Sequence, residues 1–460
     1  MLRTIAGFAL VGFPLVMLPF VSVAPASPSL ARLQSSERTA ITLGPIVSAV
    51  DETSAIVFVR TRGDASVLAV YSTDPAFSVN VHRSPRVDAH AARDYTAHIP
   101  LTDLQPATTY YYRIVVGWRV VPSPVMPHFT TAPPRKSVID FRFAVFADLI
   151  SRSGLAAPAY SSAANDGPAF VLQIGDFDHR DPGNPRGGST VSIENWRAMH
   201  RDVLGRTASG QEFAAAIASS FPLYHIWDDH DFGDNNADRT APWKSLATQA
   251  FREYYPTFSL PNADGGFWYS FLYAQVEVFV LDLRSQRDPD DEPDTADKSM
   301  LDGAAIAAGQ RDWLQAALIA STARWKVLIS SSVWNPNSKK VDSWYLFRNE
   351  QAALVEFIHQ NGITGVVILS GDLHSAGAID DGTNSFFPEL SVPPTNISGP
   401  SDCTGGYCGE WSEGVLVGSD RSGYGLVIVE HDETTGVDKM TLQAKDQAGS
   451  VRLEYSMELP

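Results

Sequence analysis

Cysteine is almost missing from this chain, with only Cys403 and Cys408 in 460 residues. Two thiols make a poor metal site, which excludes zinc-finger architectures. In an exported chain the spacing SDCTGGYCGEW predicts a short-loop disulfide instead. Positive charge is scarce too: 35 Lys and Arg face 52 Asp and Glu, a net charge of −17. An acidic surface disfavours nucleic acid or an anionic membrane as a large-area partner. It also disfavours an anionic substrate, unless bound metals reverse the field locally. Past the N-terminus no apolar run is long enough to cross a bilayer, so no stable membrane span is expected. No internal repeat is visible. What the chain has is 44% hydrophobic and 19% charged residues, a globular composition at a length that suits two or three domains.

The N-terminus MLRTIAGFALVGFPLVMLPFVSVAPAS carries one basic residue, Arg3, then an apolar stretch and Ala24-Pro25-Ala26. This predicts a cleavable signal peptide over residues 1–26 and a secreted or periplasmic protein. Without an Arg-Arg pair, no twin-arginine route is indicated. Residues 27–40 read as a Ser/Ala-rich lead-in. From 41 to 133, short alternating runs such as SAIVFVRT and TYYYRIVV predict a small all-β sandwich. LQPATTYYYRI resembles the fibronectin type III pattern, with Tyr110 as the corner tyrosine. From 139 to 460 the pattern changes to strand, helix, strand, which predicts an α/β domain. FRFAVFA, AFVLQI, PLYHIW, VEVFVLDL, WKVLISSSV and TGVVILS read as buried strands. Residues 309–322 and 349–362 read as helices, the second closed by Gly362. Three further strand-like runs after 421 are expected to complete a second sheet.

Ligands in such sheets bind beyond the carboxyl ends of the strands. Five strand ends here carry Asp: Asp148, Asp176, the run Asp228-Asp229-His230-Asp231, Asp282 and Asp372. One strand-end Asp is commonly a cap or turn residue. Five in one crevice repel each other unless protons or cations offset the charge. Asp and His together suit hard-to-borderline divalent or trivalent metals, and two such ions can clamp a phosphate and activate water.

The ordered set Asp148, Gly175-Asp176, Asp229-His230-Asp231 and Gly371-Asp372-Leu373-His374 resembles the calcineurin-like metallophosphoesterase pattern. Trp-Asp-Asp-His-Asp with Asn235 downstream, Asp282-x-Arg284-x-x-Arg287 and GDLHSAG followed by Pro388-Glu389-Leu390 look more narrowly like the PhoD-type alkaline phosphatase/phosphodiesterase family. A preceding β-sandwich also fits that family. The resemblance implies a four-layer α/β/β/α fold and an exported enzyme hydrolysing small phosphate mono- or diesters through two metal ions, with Fe, Zn, Mn and Ca as candidates. It implies Asp176 as the bridging ligand, Asp148 and His374 on the first metal, and Asp229 and Asp372 on the second. His230 would stand over the phosphate as acid or charge stabiliser, and Arg284 would grip its oxygens. Two departures matter. The family's Ser-Cys pair is replaced by Ala147-Asp148, which argues against an iron–thiolate centre. The family's Gly-Asp-x-x-Tyr reads Gly-Asp-x-x-His, so His179 stands where a phenolate ligand is expected.

Blander roles compete at several positions. His225 reads as a packed core residue. Asp178 and Asp181 read as caps or solvated loop residues, with Asp178 also a candidate second layer behind the ligands. Asp228 reads as a loop holder and Glu389 as a structural salt-bridge partner. Asn235 stands open between metal ligand and turn residue, and Asn335 is a further weak candidate. The acidic stretch 288–298 reads as a solvated insertion. Three rival functions are a phospholipase-like diesterase on lipid head groups, a non-catalytic surface protein with a degenerate metal site, and a carbohydrate-binding β module.

Overall fold

Period-2 alternation within the apolar runs decides which face of each strand meets which layer. In Val276–Val280, Trp325–Ser330 and Val366–Ser370 one set of residues, Val278, Val280, Val327, Ile329, Val367 and Leu369, joins the large central core. The alternate set, Phe279, Leu328 and Ile368, packs on Leu314, Leu318, Leu354 and Ile358 of the helices Gln310–Ala320 and Arg348–Gln360. Strands buried on both faces need no polar side, so these runs are almost continuously apolar.

The computed structural model describes residues 40–123, 125–151, 154–185, 189–303, 309–374, 376–396, 403, 407–416 and 421–460. The expected signal peptide and residues 27–39 of the lead-in lie outside them. Two sheets form the centre of the α/β part. One has six strands in the order Leu223–His225, Val171–Gln173, Phe141–Phe146, Gly423–His431, Asp438–Asp446 and Val451–Leu459. Its first three strands are parallel. The other has seven, in the order Tyr269–Tyr273, Val276–Val280, Trp325–Ser330, Val366–Ser370, Glu389–Ser391, Ala378–Asp380 and Gly414–Val415. Helices Ala159–Asn165, Ile193–Arg201 and Lys244–Tyr254 put Tyr160, Trp196 and Phe251 into the core of the six-stranded side. The layers therefore run helix, sheet, sheet, helix. The three C-terminal strands complete the six-stranded sheet. Gly423–His431 pairs antiparallel with Phe141–Phe146, so they extend the first sheet.

The N-terminal strands form two antiparallel sheets around Val57, Val59, Ile99, Tyr112 and Ile114. The Tyr110 hydroxyl accepts the backbone N–H of Gln105 at 2.9 Å, the link a corner tyrosine makes. This part is fastened to the α/β part by buried polar contacts. Asp94 receives Arg60 at 2.7 Å and Arg201 at 2.6 Å. The Ser48 hydroxyl donates to the Leu223 carbonyl at 2.5 Å, and the Tyr224 hydroxyl to that of Val50 at 3.1 Å. His98 Nε2 meets the Glu253 carbonyl at 3.1 Å. No helix among the described residues is long and apolar enough to cross a membrane. Cys403 and Cys408 are joined by a disulfide.

Candidate metal centre

The two sheets bring their carboxyl ends to one crevice, and the chain turns sharply there. Asp148, Asp176, Asp372 and His374 all take left-handed backbone, with φ of 54°, 51°, 62° and 51°. Non-glycine residues adopt that region at a cost, which surrounding structure must hold. Gly175 precedes the second turn at φ +120°, and a Cβ there would stand 2.6 Å from the Asp228 Cβ. Only glycine allows the two loops to approach this closely.

Asp148, Asp176, His179 and His374 form one cluster, their ligand atoms all within 4.8 Å of one another. His179 Nε2 lies 3.1 Å from Asp176 Oδ2 and 3.5 Å from His374 Nε2. His374 Nε2 lies 3.5 Å from Asp148 Oδ1. His179 Nδ1 sits 3.2 Å from the Leu149 carbonyl. A carbonyl can only accept, so Nδ1 carries the proton and the Nε2 lone pair faces the carboxylates. Burial holds His179 well below the usual imidazole range and His374 at about 3, so both rings are neutral. Burial pushes Asp148 up to about 7 and lifts Asp176 well above the carboxylate range, with Asp229 adding repulsion to Asp176. Asp148 Oδ1 and Asp176 Oδ2 are buried and accept no hydrogen bond among the described residues. Two orphaned carboxylate oxygens facing the His179 Nε2 lone pair and the neutral His374 ring fit a divalent cation.

His230 stands beside this cluster on the short helix Asp229–Phe232, its ring centroid 4.4 Å from that of His179. The helix is started by Asp228, which exchanges capping contacts with Asp231. The backbone N–H of His230 donates to Asp229 Oδ1 at 2.9 Å and Asp176 Oδ1 at 3.2 Å. Its Nδ1 meets Asp181 Oδ1 at 2.6 Å. Burial alone would lower its pKa, but Asp229 and Asp181 outweigh that and raise it to about 9. The ring is therefore an imidazolium at neutral pH.

Several expectations need correction. Arg284 is not placed to grip a phosphate. Its guanidinium is 0% exposed and is taken by Asp228 at 2.5 and 2.7 Å, Asp342 at 2.6 and 2.9 Å, and Ser332 at 3.0 Å. Two buried carboxylates outcompete any ligand for that fork. Asn235 is exposed, and its side chain donates to Asn236 at 2.8 Å, so it belongs to the turn. Asn236 is the residue that reaches the site, through its backbone N–H to Asp229 Oδ2 at 2.7 Å. Asn335 is buried against the Glu410 carbonyl at 2.8 Å. Asp178 is buried rather than solvated, and accepts from Ser151 and Arg180. Glu389 has no cationic partner among the described residues. It accepts from Ser370 at 2.6 Å and Trp334 N at 3.1 Å, and burial pushes it up to about 8. His225 is packed among Phe177, Phe251 and Tyr255.

Three residues at the site went unremarked in the sequence: Asp342, which binds Arg284 and Arg287, Lys339, whose Nζ lies 2.5 Å from Asp372 Oδ2, and Ser331, which donates to Asp228 at 2.6 Å. The sequence shows Asp181 but not its partner. Its signal was its place in the run Asp176-Phe-Asp-His-Arg-Asp181. Lys339 had one as well, a Lys-Lys pair in an acidic chain.

The solved structures with this architecture place it in a class. It superposes on the structure described as that of PhoD with a TM-score of 0.73, at 19% identity, over 94% of this chain and 91% of that one. It matches a purple acid phosphatase, PPD1 of yellow lupin (Lupinus luteus) seeds, with a TM-score of 0.56, at 11% identity, over 90% of this chain and 73% of that one. The fold is that of the metallophosphoesterases. Within that class, the family described as PhoD-like phosphatase matches residues 153–422, and the PhoD-like phosphatase N-terminal domain matches 26–133. The chain belongs to the PhoD-like phosphatase family. It is 27% identical over 322 residues to alkaline phosphatase D of Bacillus subtilis (strain 168). That match covers 62% of this chain and 54%, about half, of the relative.

Proposed function

We propose that this protein is an exported, metal-dependent hydrolase of small phosphate mono- or diesters. The observation that carries the proposal is the cluster of Asp148, Asp176, His179 and His374, lying beside His230, whose Nδ1 is held by Asp181. When bound there, a divalent or trivalent ion would supply Lewis-acid polarisation of a phosphate oxygen and of an attacking water. The protein's own groups do the rest. The neutral rings of His179 and His374 and the carboxylates of Asp148 and Asp176 would hold the ion. Asp181 holds His230 through Nδ1, which leaves Nε2 to deliver a proton to the departing ester oxygen. That is the usual work of a general acid, and the elevated pKa keeps the ring charged for it. Family membership supports the reaction class, and the Cys403–Cys408 disulfide with the apolar N-terminus supports export.

The test is hydrolysis of a chromogenic monoester and a chromogenic diester by the purified protein. Chelator and the substitution Asp176→Asn are run alongside. Turnover of either substrate, lost in both controls, is expected. No turnover with any of Fe, Zn, Mn or Ca supplied would contradict the proposal.

A further inference from the structure

The acidic groups around the crevice fall into two sets that differ in the cations that face them, although Asp176 also lies within ligand distance of Asp228 and Asp372. In the first set, the oxygens of Asp148 and Asp176 that face His179 and His374 meet no cationic side chain closer than those rings among the described residues. In the second set, Asp228, Asp229, Asp342 and Asp372, the protein supplies the positive charge itself. Arg284 binds Asp228 and Asp342, and lies 3.9 Å from both Asp229 and Asp372. Arg287 binds Asp342 at 2.7 Å. Lys339, 4% exposed, sets its Nζ 2.5 Å from Asp372 Oδ2, 4.0 Å from Asp342 Oδ2 and 3.0 Å from the Asp372 carbonyl. Further donors to this set are the Ser331 hydroxyl and the Asp231 backbone N–H on Asp228, and the backbone N–H groups of His230 and Asn236 on Asp229.

We infer that the Lys339 ammonium takes the place of a second cation beside Asp372, so that the centre holds one metal ion, on Asp148, Asp176, His179 and His374. The inference rests on the metal-dependent function proposed above and departs from the two ions that the family resemblance implies. Its physical basis is charge balance. Four carboxylates already facing three fixed cations have less to gain from a divalent ion than Asp148 and Asp176, which make no direct ion pair with a lysine or arginine among the described residues. Lys339 is held where it stands. The Ser338 hydroxyl donates to the Cys408 carbonyl at 2.7 Å, and Ser343 donates to the Lys339 carbonyl. Gly409 lies so close that a Cβ there would meet the Ser338 Cα at 2.2 Å. The disulfide-bridged segment thus braces the loop that delivers the lysine.

The experiment measures metal content and calorimetric binding stoichiometry for the full chain loaded with excess Mn²⁺ or Zn²⁺ and then desalted. Wild type is expected to retain about one ion per chain, and Lys339→Met about two, because the neutral isostere frees Asp372. Lys339→Arg keeps the charge and should stay at about one. Two ions in wild type would overturn the inference while leaving the metal-dependent function standing. No retained ion in wild type would overturn both. One ion in a folded Lys339→Met, judged by circular dichroism, would overturn the inference alone. If Lys339→Met does not fold, the wild-type stoichiometry still decides.

Discussion

His230 Nδ1 lies 2.6 Å from Asp181 Oδ1, joining the helix after the Leu223–His225 strand to the loop after Val171–Gln173. The contact fixes which ring nitrogen is committed to the protein and which is left for chemistry. His230→Ala should lower kcat about 10²- to 10⁴-fold, the span of a lost general acid. Asp181→Asn should lower it less, with little change in KM. Steady-state kinetics on a substrate with a poor leaving group checks both. The losses should shrink on an activated aryl ester, which needs no proton to depart.

Arg284 makes the opposite case, a residue whose loss should act on the fold. Arg284→Met strands Asp228 and Asp342 without their main cation, at a cost of roughly 3–5 kcal/mol in unfolding free energy. Denaturant unfolding measures it. A stable variant with only KM raised would instead show that the guanidinium binds substrate.

Gly175→Ala tests the approach of the two strand-end loops. The added Cβ meets Asp228 at 2.6 Å in a backbone conformation of φ +120°. A loss of roughly 1–3 kcal/mol is expected, together with weaker metal retention, because Asp176 is the next residue. Thermal unfolding with and without chelator separates the two effects.

Stability should depend on pH through the joint between the sandwich and the α/β part. Burial holds His98 at about 4, below the ordinary 6.5, and the Glu253 carbonyl opposes this only in part. The folded state therefore binds this proton less readily than the unfolded state. The contribution of His98 is fully present above pH 6.5 and is lost as pH falls from 6.5 towards 4. The difference in unfolding free energy between wild type and His98→Gln should change across that window and be flat above it.

Much of this was legible in the chain, for a physical reason. A strand such as VVILS is buried on both faces, so its run is unbroken, and the Asp that follows it must sit at a carboxyl end. That placed Asp148, Asp176, Asp229, Asp372 and His374 in one crevice, and His179 with them. Pairing of charges was not legible. Arg284 looks like a phosphate ligand in sequence because nothing there shows that Asp342, 58 residues on, will close over it. Lys339 and Asp372 meet across 33 residues for the same reason. The extra strands Ala378–Asp380 and Glu389–Ser391 were hidden by their length of 3 residues each, too short for a period to show.

The most direct test of the central claim is a titration of apo-protein with metal, reading phosphoester hydrolysis and bound metal on the same samples for wild type and His374→Ala. Hydrolysis rising in proportion to bound ion in wild type, with weak binding and little turnover in the variant, is the expected result. Full hydrolysis by metal-free protein, or hydrolysis in His374→Ala equal to wild type at low metal, would contradict the account.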